Sequence, residues 1–409
     1  MKKIKVLRII ARLNVGGPAI HTILLTGGLD KTKFESLLIY GSLSPDEGDM
    51  SYYASDRNIS TVFIPELKRE IDLFNDLAAF IKIFSLIERE RPDIVHTHTA
   101  KAGAIGRLAA IAFKLNNLFS PATLKIIHTF HGHVFDGYFG SLKTGVFILI
   151  ERLLAIFTDQ IITVSESVRN ELISLGITKK SKIKVIPLGF ELDRFLNLPL
   201  KDSPELNIGI VGRLVPIKNH RLFLDAAKKL ICDNPDLNFS FKVIGDGESR
   251  VELDKYADLV GIREKVDFLG WQKDLEQVYS ELDIVVLTSL NEGTPVSLIE
   301  AMASAKAVVA TDVGGVADLL GKEREIFIKS DQGFTVRERG LLVKSGDSAA
   351  FARALTFLIK NNSLKKDMAE SGRNLIKKKF TKERLIGDIQ DLYSGILKVN
   401  IRHLISIGQ

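Results

Sequence analysis

Residues 283–302 read DIVVLTSLNEGTPVSLIEAM. Asp283–Thr288 is an apolar, β-branched run without alternation, as expected of a strand covered on both faces. Asn291-Glu292-Gly293-Thr294-Pro295 interrupts it with turn formers. Thr294 then suits the N-cap and Pro295 the first helical position, where proline's missing N–H has no partner to lose. Val296 to Met302 continue as helix. A strand, a short loop and a helix make half of a βαβ unit, and such units build parallel sheets. The helix N-terminus carries free N–H groups and positive partial charge, which suits an anion. Glu292 stands just before it, and Glu300 follows about one and a half turns in. Two carboxylates beside an anion site suit the hydroxyls of a sugar and a ribose. A surface glutamate and a helix-stabilising glutamate are the plain alternative.

The same alternation runs outward in both directions. Apolar strands are expected at Leu206–Val211, Phe239–Ile244, Val266–Leu269 and Ala307–Thr311, with a helical region rich in Lys and Glu from about Asp347. Upstream, strands are expected at Val6–Ile10, Leu37–Ile39, Thr61–Ile64, Asp93–His96, Lys125–Thr129, Gln160–Val164 and Ile183–Ile186, with helices between them. The run ELDRFLNLPLKDSP, Glu191–Pro204, breaks the pattern with two prolines and several charges and reads as a linker. The expected domains are therefore residues 1–190, a linker at 191–204, a second domain at 205–380, and a C-terminal helix at 381–409 that crosses back to the first domain. The fold class is α/β, two doubly wound Rossmann-like domains facing a cleft, with ligands at the carboxyl ends of the strands.

The chain has 409 residues, 45% hydrophobic and 26% charged, which excludes disorder and coiled coil as the main class. A single cysteine, Cys232, excludes an internal disulfide and a thiolate metal cluster. The most apolar stretch, Gly145–Phe157, is interrupted by Glu151 and Arg152, so no transmembrane helix is expected. Residues 1–190 carry 24 Lys and Arg against 18 Asp and Glu, and residues 191–409 carry 32 of each. The whole +6 thus falls in the first half, which suits an anionic partner there. Ordinary surface variation explains it equally well.

Other segments offer chemistry at strand ends. Gly16 and Gly17, with Pro18 opening a helix, let backbone N–H groups approach an anion, although the spacing is not G-x-G-x-x-G. Gly212 permits a tight exit from its strand, after which Arg213 and Lys218 suit a diphosphate, one as a planar fork and the other as a point charge. His128, His131 and His133 end one strand, and His96 and His98 end another, where they are expected to line the acceptor side. No carboxylate or thiol near the first three completes a metal set, so a metal-free reading is preferred. His128 is expected to be a strand residue with a structural hydrogen bond. Asp136-Gly137-Tyr138-Phe139-Gly140 leads into the apolar helix ending at Phe157, with Lys101, Arg107 and Lys114 expected to add positive charge toward an anionic membrane surface.

Over nearly its whole length the chain resembles retaining glycosyltransferases of family 4, which have the GT-B fold, with the most specific motifs in the C-terminal half. Glu292 and Glu300 form their E-x7-E motif. Val211-Gly212-Arg213 with Lys218, Ile244-Gly245-Asp246-Gly247, Phe268-Leu269-Gly270, Ala310-Thr311-Asp312-Val313-Gly314-Gly315, Gly340-Leu341-Leu342-Val343 and Gly346-Asp347 continue the likeness. Ala305 departs from the family, which usually has glycine there, and is expected to alter a turn.

The resemblance implies transfer of a sugar from a nucleotide-diphosphate sugar, a UDP-sugar above all, to a glycan or polyprenyl-linked acceptor in cell-envelope polysaccharide synthesis. Arg213 and Lys218 would bind the diphosphate, and Glu300 the ribose. Glu292, with the backbone of Gly293, Thr294, Pro295 and Val296, would hold the sugar. His131 would approach the reaction centre, and Gly16 and Gly17 would approach the diphosphate. Attack from the front face is implied, with the leaving phosphate helping to deprotonate the acceptor. The sequence contains no Asp-x-Asp pair, so neither a metal nor another cofactor is expected. No nucleic-acid partner is implied, and a cytoplasmic enzyme peripheral to the inner face of the cell membrane is expected. Two other classes fit less well: another GT-B enzyme such as a sugar-nucleotide epimerase, and a non-catalytic sugar-nucleotide-binding protein.

Overall fold

The computed structural model describes residues 3–44, 47–117, 124–132, 141–198, 205–325 and 332–407. His133 and the loop from Asp136 to Gly140 lie outside them. The chain divides into two compact units, Met1–Phe190 with Lys382–Gln409, and Glu191–Thr381.

The first unit contains seven strands, β1 (Ile4–Arg12), β2 (Phe34–Gly41), β3 (Thr61–Ile64), β4 (Ile94–His98), β5 (Lys125–Phe130), β6 (Gln160–Thr163) and β7 (Ile183–Val185). They form one sheet in the order β3-β2-β1-β4-β5-β6-β7, with every pairing parallel. β4 is buried throughout, because helices cover both faces. Helices Leu73–Glu90 and Ala100–Asn116 lie on one face, where Ile83, Ile87, Ala109 and Phe113 join the core formed with Leu7, Ile9 and Val95. On the other face, Leu385, Ile389, Leu392 and Tyr393 of the C-terminal helix Lys382–Ile407 pack with Val6, Leu25, Leu29 and Phe34. Each such leucine or isoleucine contributes about 1.5–3 kcal/mol by burial, which is what binds the chain's last helix to its first domain.

The second unit repeats the scheme with β8 (Leu206–Val211), β9 (Phe239–Ile244), β10 (Val266–Gly270), β11 (Ile284–Leu287), β12 (Ala307–Thr311), β13 (Phe334–Arg337) and β14 (Gly340–Val343). Their order is β10-β9-β8-β11-β12-β14-β13, and only β13 runs antiparallel to its neighbour. The sequence reading anticipated β8 to β12 but not the β13–β14 hairpin, whose four-residue strands are too short to show a period. The stretch read as a linker contains a helical turn, Asp193–Leu196, with Phe195 buried in the second unit against Tyr279.

In each sheet the strand order reverses beside the first strand, between β1 and β4 and between β8 and β11. At such a point adjacent βα loops diverge and leave room for a ligand at the carboxyl ends.

Candidate active site

In the second unit the loops after β8, β9 and β10 are tied together. Gly212 N–H donates to the Ile244 carbonyl at 2.9 Å, Leu214 N–H to that of Asp246 at 2.9 Å, and Gly245 N–H to that of Gly270 at 2.9 Å. Gly245 has φ +125°, and a Cβ there would lie 2.0 Å from the Gly212 carbonyl oxygen, so glycine is required. This lattice fixes where the chain leaves β8 and therefore where Arg213 begins. Arg213 makes no ion pair among the described residues and remains available to a ligand.

Lys218 ends a short 3-10 turn, and its ammonium forms an ion pair with Glu292. Ser289, fully buried, donates its hydroxyl to the same Glu292 oxygen at 2.7 Å. Thr288 donates its hydroxyl to the Lys218 carbonyl at 3.0 Å, and Leu290 N–H bonds the Ile217 carbonyl at 2.8 Å. The two sequence candidates with separate expected roles are thus one charge-paired unit. Ser289, which orients it, carried no sequence signal.

The helix after Glu292 spans Val296–Ala303, with Pro295 at the N-cap position. This corrects the expected cap by one residue. Pro295 has extended backbone and closes the first bond through its carbonyl, to Ile299 N–H at 3.3 Å, while the Thr294 hydroxyl is buried without a partner. The free amides therefore begin at Val296. Glu300 accepts a hydrogen bond from the fully buried Tyr279 hydroxyl at 2.9 Å. Burial pushes the Glu300 carboxyl up to about 7, with the Glu276 charge adding to the rise and the Tyr279 bond opposing it. Tyr279 was not anticipated; it reaches Glu300 from a separate helix, Leu275–Glu281.

In the first unit the reversal point collects histidines. His131 lies just past β5, His98 ends β4, and His21 comes from the helix Gly17–Gly28 that follows β1. His98 Nδ1 and His131 Nε2 are 3.0 Å apart, which is a hydrogen bond, and the His21 ring stands edge-on to His131 at 5.0 Å. His21 Nδ1 and Nε2, His98 Nε2 and His131 Nδ1 are buried without partners. Desolvation holds His131 down to about 3, and His21 and His98 well below the usual imidazole range. All three are neutral at working pH. Each then offers one N–H and one lone pair, and orphaned buried groups of this kind suit hydroxyls.

His96 does not line an acceptor site as expected. It is fully buried, with Nδ1 2.6 Å from the Tyr393 hydroxyl and Nε2 2.7 Å from the Thr129 hydroxyl. Arg8 donates to the Tyr393 oxygen at 3.0 Å. A guanidinium only donates, so the tyrosine proton turns to His96 Nδ1, and His96 carries its own hydrogen on Nε2. Its ring lies against that of His98, tilted by 33° with centroids 4.3 Å apart. The C-terminal helix therefore reaches the histidine group through Tyr393. His128 bonds Thr97 at 2.8 Å within the sheet.

The ligand nitrogens of His21, His98 and His131 lie within 4.8 Å of one another. A metal would need each at about 2.0–2.1 Å, and ligating histidines normally give their second nitrogen to a carboxylate or carbonyl. Here two rings bond each other and the second nitrogens are orphaned, so the group fits a hydrogen-bonded cluster better than a metal site. The sequence reading weighed His128, His131 and His133 as neighbours in one segment; the actual cluster comes from three separate elements.

Gly16 caps the helix Gly17–Gly28 in extended backbone, with Pro18 near its start. A Cβ on Gly16 would meet nothing closer than Pro18 at 3.8 Å, so the space above it is open.

Two Rossmann-like units, with paired cations and carboxylates at one reversal point and histidines at the other, define a GT-B glycosyltransferase. Residues 15–194 match the family Glycosyltransferase Family 4, and residues 205–361 match Glycosyl transferases group 1. The chain belongs to glycosyltransferase family 4. It is 29% identical over 363 residues to the UDP-Gal:alpha-D-GlcNAc-diphosphoundecaprenol alpha-1,3-galactosyltransferase of Escherichia coli, covering 85% of this chain and 87% of that one. It is 27% identical to the capsular polysaccharide biosynthesis glycosyltransferase CapM of Staphylococcus aureus, covering 87% of this chain and 90% of that one. Among solved structures, Anabaena HepE in complex with UDP superposes with a TM-score of 0.75 at 19% identity, over 96% of this chain and 100% of that one.

Proposed function

We propose that the protein is a retaining, metal-independent glycosyltransferase that moves a hexose from a UDP-sugar to a polyprenyl-diphosphate-linked glycan in cell-envelope polysaccharide synthesis. The observation that carries this reading is the charge arrangement after β8 and β11. Arg213, Lys218 and the amides from Val296 onward supply positive charge where a diphosphate leaves. Glu292, steadied by Ser289, supplies an acceptor for sugar hydroxyls, and Glu300, steadied by Tyr279, one for ribose hydroxyls. Gly293 to Val296 contribute backbone to the sugar's side. In the first unit, His131 presents a neutral imidazole to hydroxyls of the reacting sugars, and Gly16 and Gly17 leave open backbone for phosphate. The lipid-linked acceptor is supported by the Escherichia coli relative, whose name specifies a diphosphoundecaprenol substrate.

A bound donor places Lys218 between two anions, the diphosphate and Glu292. The ion pair of the free protein then becomes a bridge that senses whether the diphosphate is present.

The test is calorimetry of the purified protein against UDP-, GDP- and ADP-sugars, followed by transfer to a polyprenyl diphosphate N-acetylhexosamine with and without chelator. NMR of the product reads the anomeric configuration. Binding of UDP-sugars alone, retained configuration and chelator resistance are the expected results. Inversion, loss of activity with chelator, or hydrolysis-free binding without transfer to any acceptor overturns the corresponding part.

A further inference from the structure

Two neighbouring helices of the first unit are built inside out. In Ser141–Phe157 the one acidic residue, Glu151, points inward and both its carboxylate oxygens accept from Arg107 Nη2, at 2.7 and 2.8 Å. Arg107 is fully buried on the adjacent helix Ala100–Asn116. Meanwhile Val146, Leu149, Ile150, Leu153, Ile156 and Phe157 face solvent, Ile156 with 67% of its surface. Their spacing follows one helical face. The adjacent helix continues the apolar surface with exposed Leu108 and Leu115. Beyond it, the start of Leu73–Glu90 exposes Leu73 and Phe74 to 82% and 89%, and Leu77 beside them. These three helices each follow a strand of the series β3, β4 and β5, so they lie side by side on one face and begin at the carboxyl ends of the strands, where the histidines are.

A face that hides its ion pair and displays its leucines is suited to an apolar phase. Exposed apolar patches of this extent mark an interaction surface. Its rim has the charge that phospholipid headgroups complement. Lys182 bonds the carbonyls of Ala155 and Ile156 at the end of the helix Ser141–Phe157, at 2.6 and 3.1 Å, and exposed Lys179, Lys180 and Lys184 flank it. Among the described residues, neither Ala100–Asn116 nor Ser141–Phe157 exposes an acid.

The structure also corrects the charges expected to draw the protein to a membrane. Arg107 is buried against Glu151, Lys101 is paired with Asp76, and Lys114 with Asp159. Each of these three cations already has a carboxylate partner, Lys114 sharing Asp159 with Lys125. No helix among the described residues is long and apolar enough to cross a membrane.

We infer that this three-helix face seats the protein in the interface of an anionic phospholipid bilayer, with the leucines at the acyl boundary and the Lys179–Lys184 segment on the headgroups. The choice of occupant rests on the proposed lipid-linked acceptor, whose polyprenyl tail stays in a bilayer.

The full chain is floated with vesicles of phosphatidylethanolamine and phosphatidylglycerol that contain no acceptor lipid, so docking is read independently of the reaction. Leu149→Glu/Leu153→Glu should lower the bound fraction at least about tenfold. Lys179→Glu/Lys180→Glu should lower it severalfold on anionic vesicles and leave binding to phosphatidylcholine unchanged. Both variants should keep UDP-sugar affinity in solution, which shows that they fold. Wild-type protein that ignores anionic vesicles overturns the inference. So does sedimentation showing a dimer that Leu149→Glu/Leu153→Glu disperses, because the face would then be covered by a second copy. If docking holds but no lipid-linked acceptor is used, the reading of the acceptor fails and the docking face stands.

Discussion

The strand ends of the first unit gather neutral histidines, whereas those of the second gather full charges. Both lie where strand order reverses in sheets of nearly the same topology, so backbone architecture does not account for the difference. Burial does. His21, His98 and His131 have lost their water and with it their positive charge. Lys218 and Glu292 stay partly exposed and neutralise each other. In the proposed reaction, the first end recognises hydroxyls without charge and the second takes up the charge of a departing diphosphate.

The largest effect is expected at Glu292. Glu292→Gln should lower turnover about a hundredfold, as for loss of a group that acts in the transition state, with a far smaller change in UDP affinity. An equal loss in both would make Glu292 a nucleotide ligand instead. Next, Lys218→Ala should weaken UDP binding more than Arg213→Ala, which should cost about tenfold for one charge-assisted contact. Lys218→Ala also leaves Glu292 uncompensated beside the diphosphate. In calorimetry Lys218→Ala/Glu292→Gln should therefore recover part of the affinity lost in Lys218→Ala; strict additivity would show the pair to be uncoupled.

A third experiment probes the histidine end. Tyr393→Phe removes the hydroxyl that joins Arg8 to His96 and should cost about 1–3 kcal/mol of stability, because the buried Arg8 donor and the His96 Nδ1 acceptor lose their partner. Thermal melting reads this, and an unchanged Tm would deny the network a role.

The fourth separates the two ends by pH. With Glu300 at about 7 in the free protein, UDP affinity should rise severalfold from pH 6 to pH 8, because only the carboxylate accepts two ribose hydroxyls. His131, held at about 3, contributes nothing in that window. Glu300→Gln should flatten the profile, and a slope that persists in this variant would assign it elsewhere. The smallest effect is expected away from both ends. Ala305 sits at φ +53°, a left-handed turn that alanine adopts at a cost of about 1 kcal/mol. Alanine bears strain in this turn that glycine would not, so Ala305→Gly should raise stability by up to about 1 kcal/mol in denaturant titration.

Much of the second unit was legible because its signals are local. Leu206–Val211, Phe239–Ile244 and Ala307–Thr311 are strands as read, since a continuous β-branched run between turn residues has one stable use. Arg213, Lys218, Glu292 and Glu300 stand out as candidates because charged residues beside glycines and a proline-led helix start suit an anion within a few residues. Even there, the Lys218–Glu292 pair spans 74 positions, and Tyr279 reaches Glu300 across 21.

Periodicity and residues adjacent in the chain encode the alternation of strand and helix, the two Rossmann-like domains and which charged residues stand in the second one's loops. Only the tertiary structure decided the rest. His21, His98 and His131 meet because parallel strands bring distant loops to one edge, and no spacing along the chain encodes that meeting. Arg107 reads as surface charge in the sequence, yet it is buried against Glu151 while Leu149 and Leu153 face outward. Whether a charge is free or paired, and whether a leucine is covered or bare, depends on which helices lie side by side. That is a property of the sheet order and not of any segment read alone.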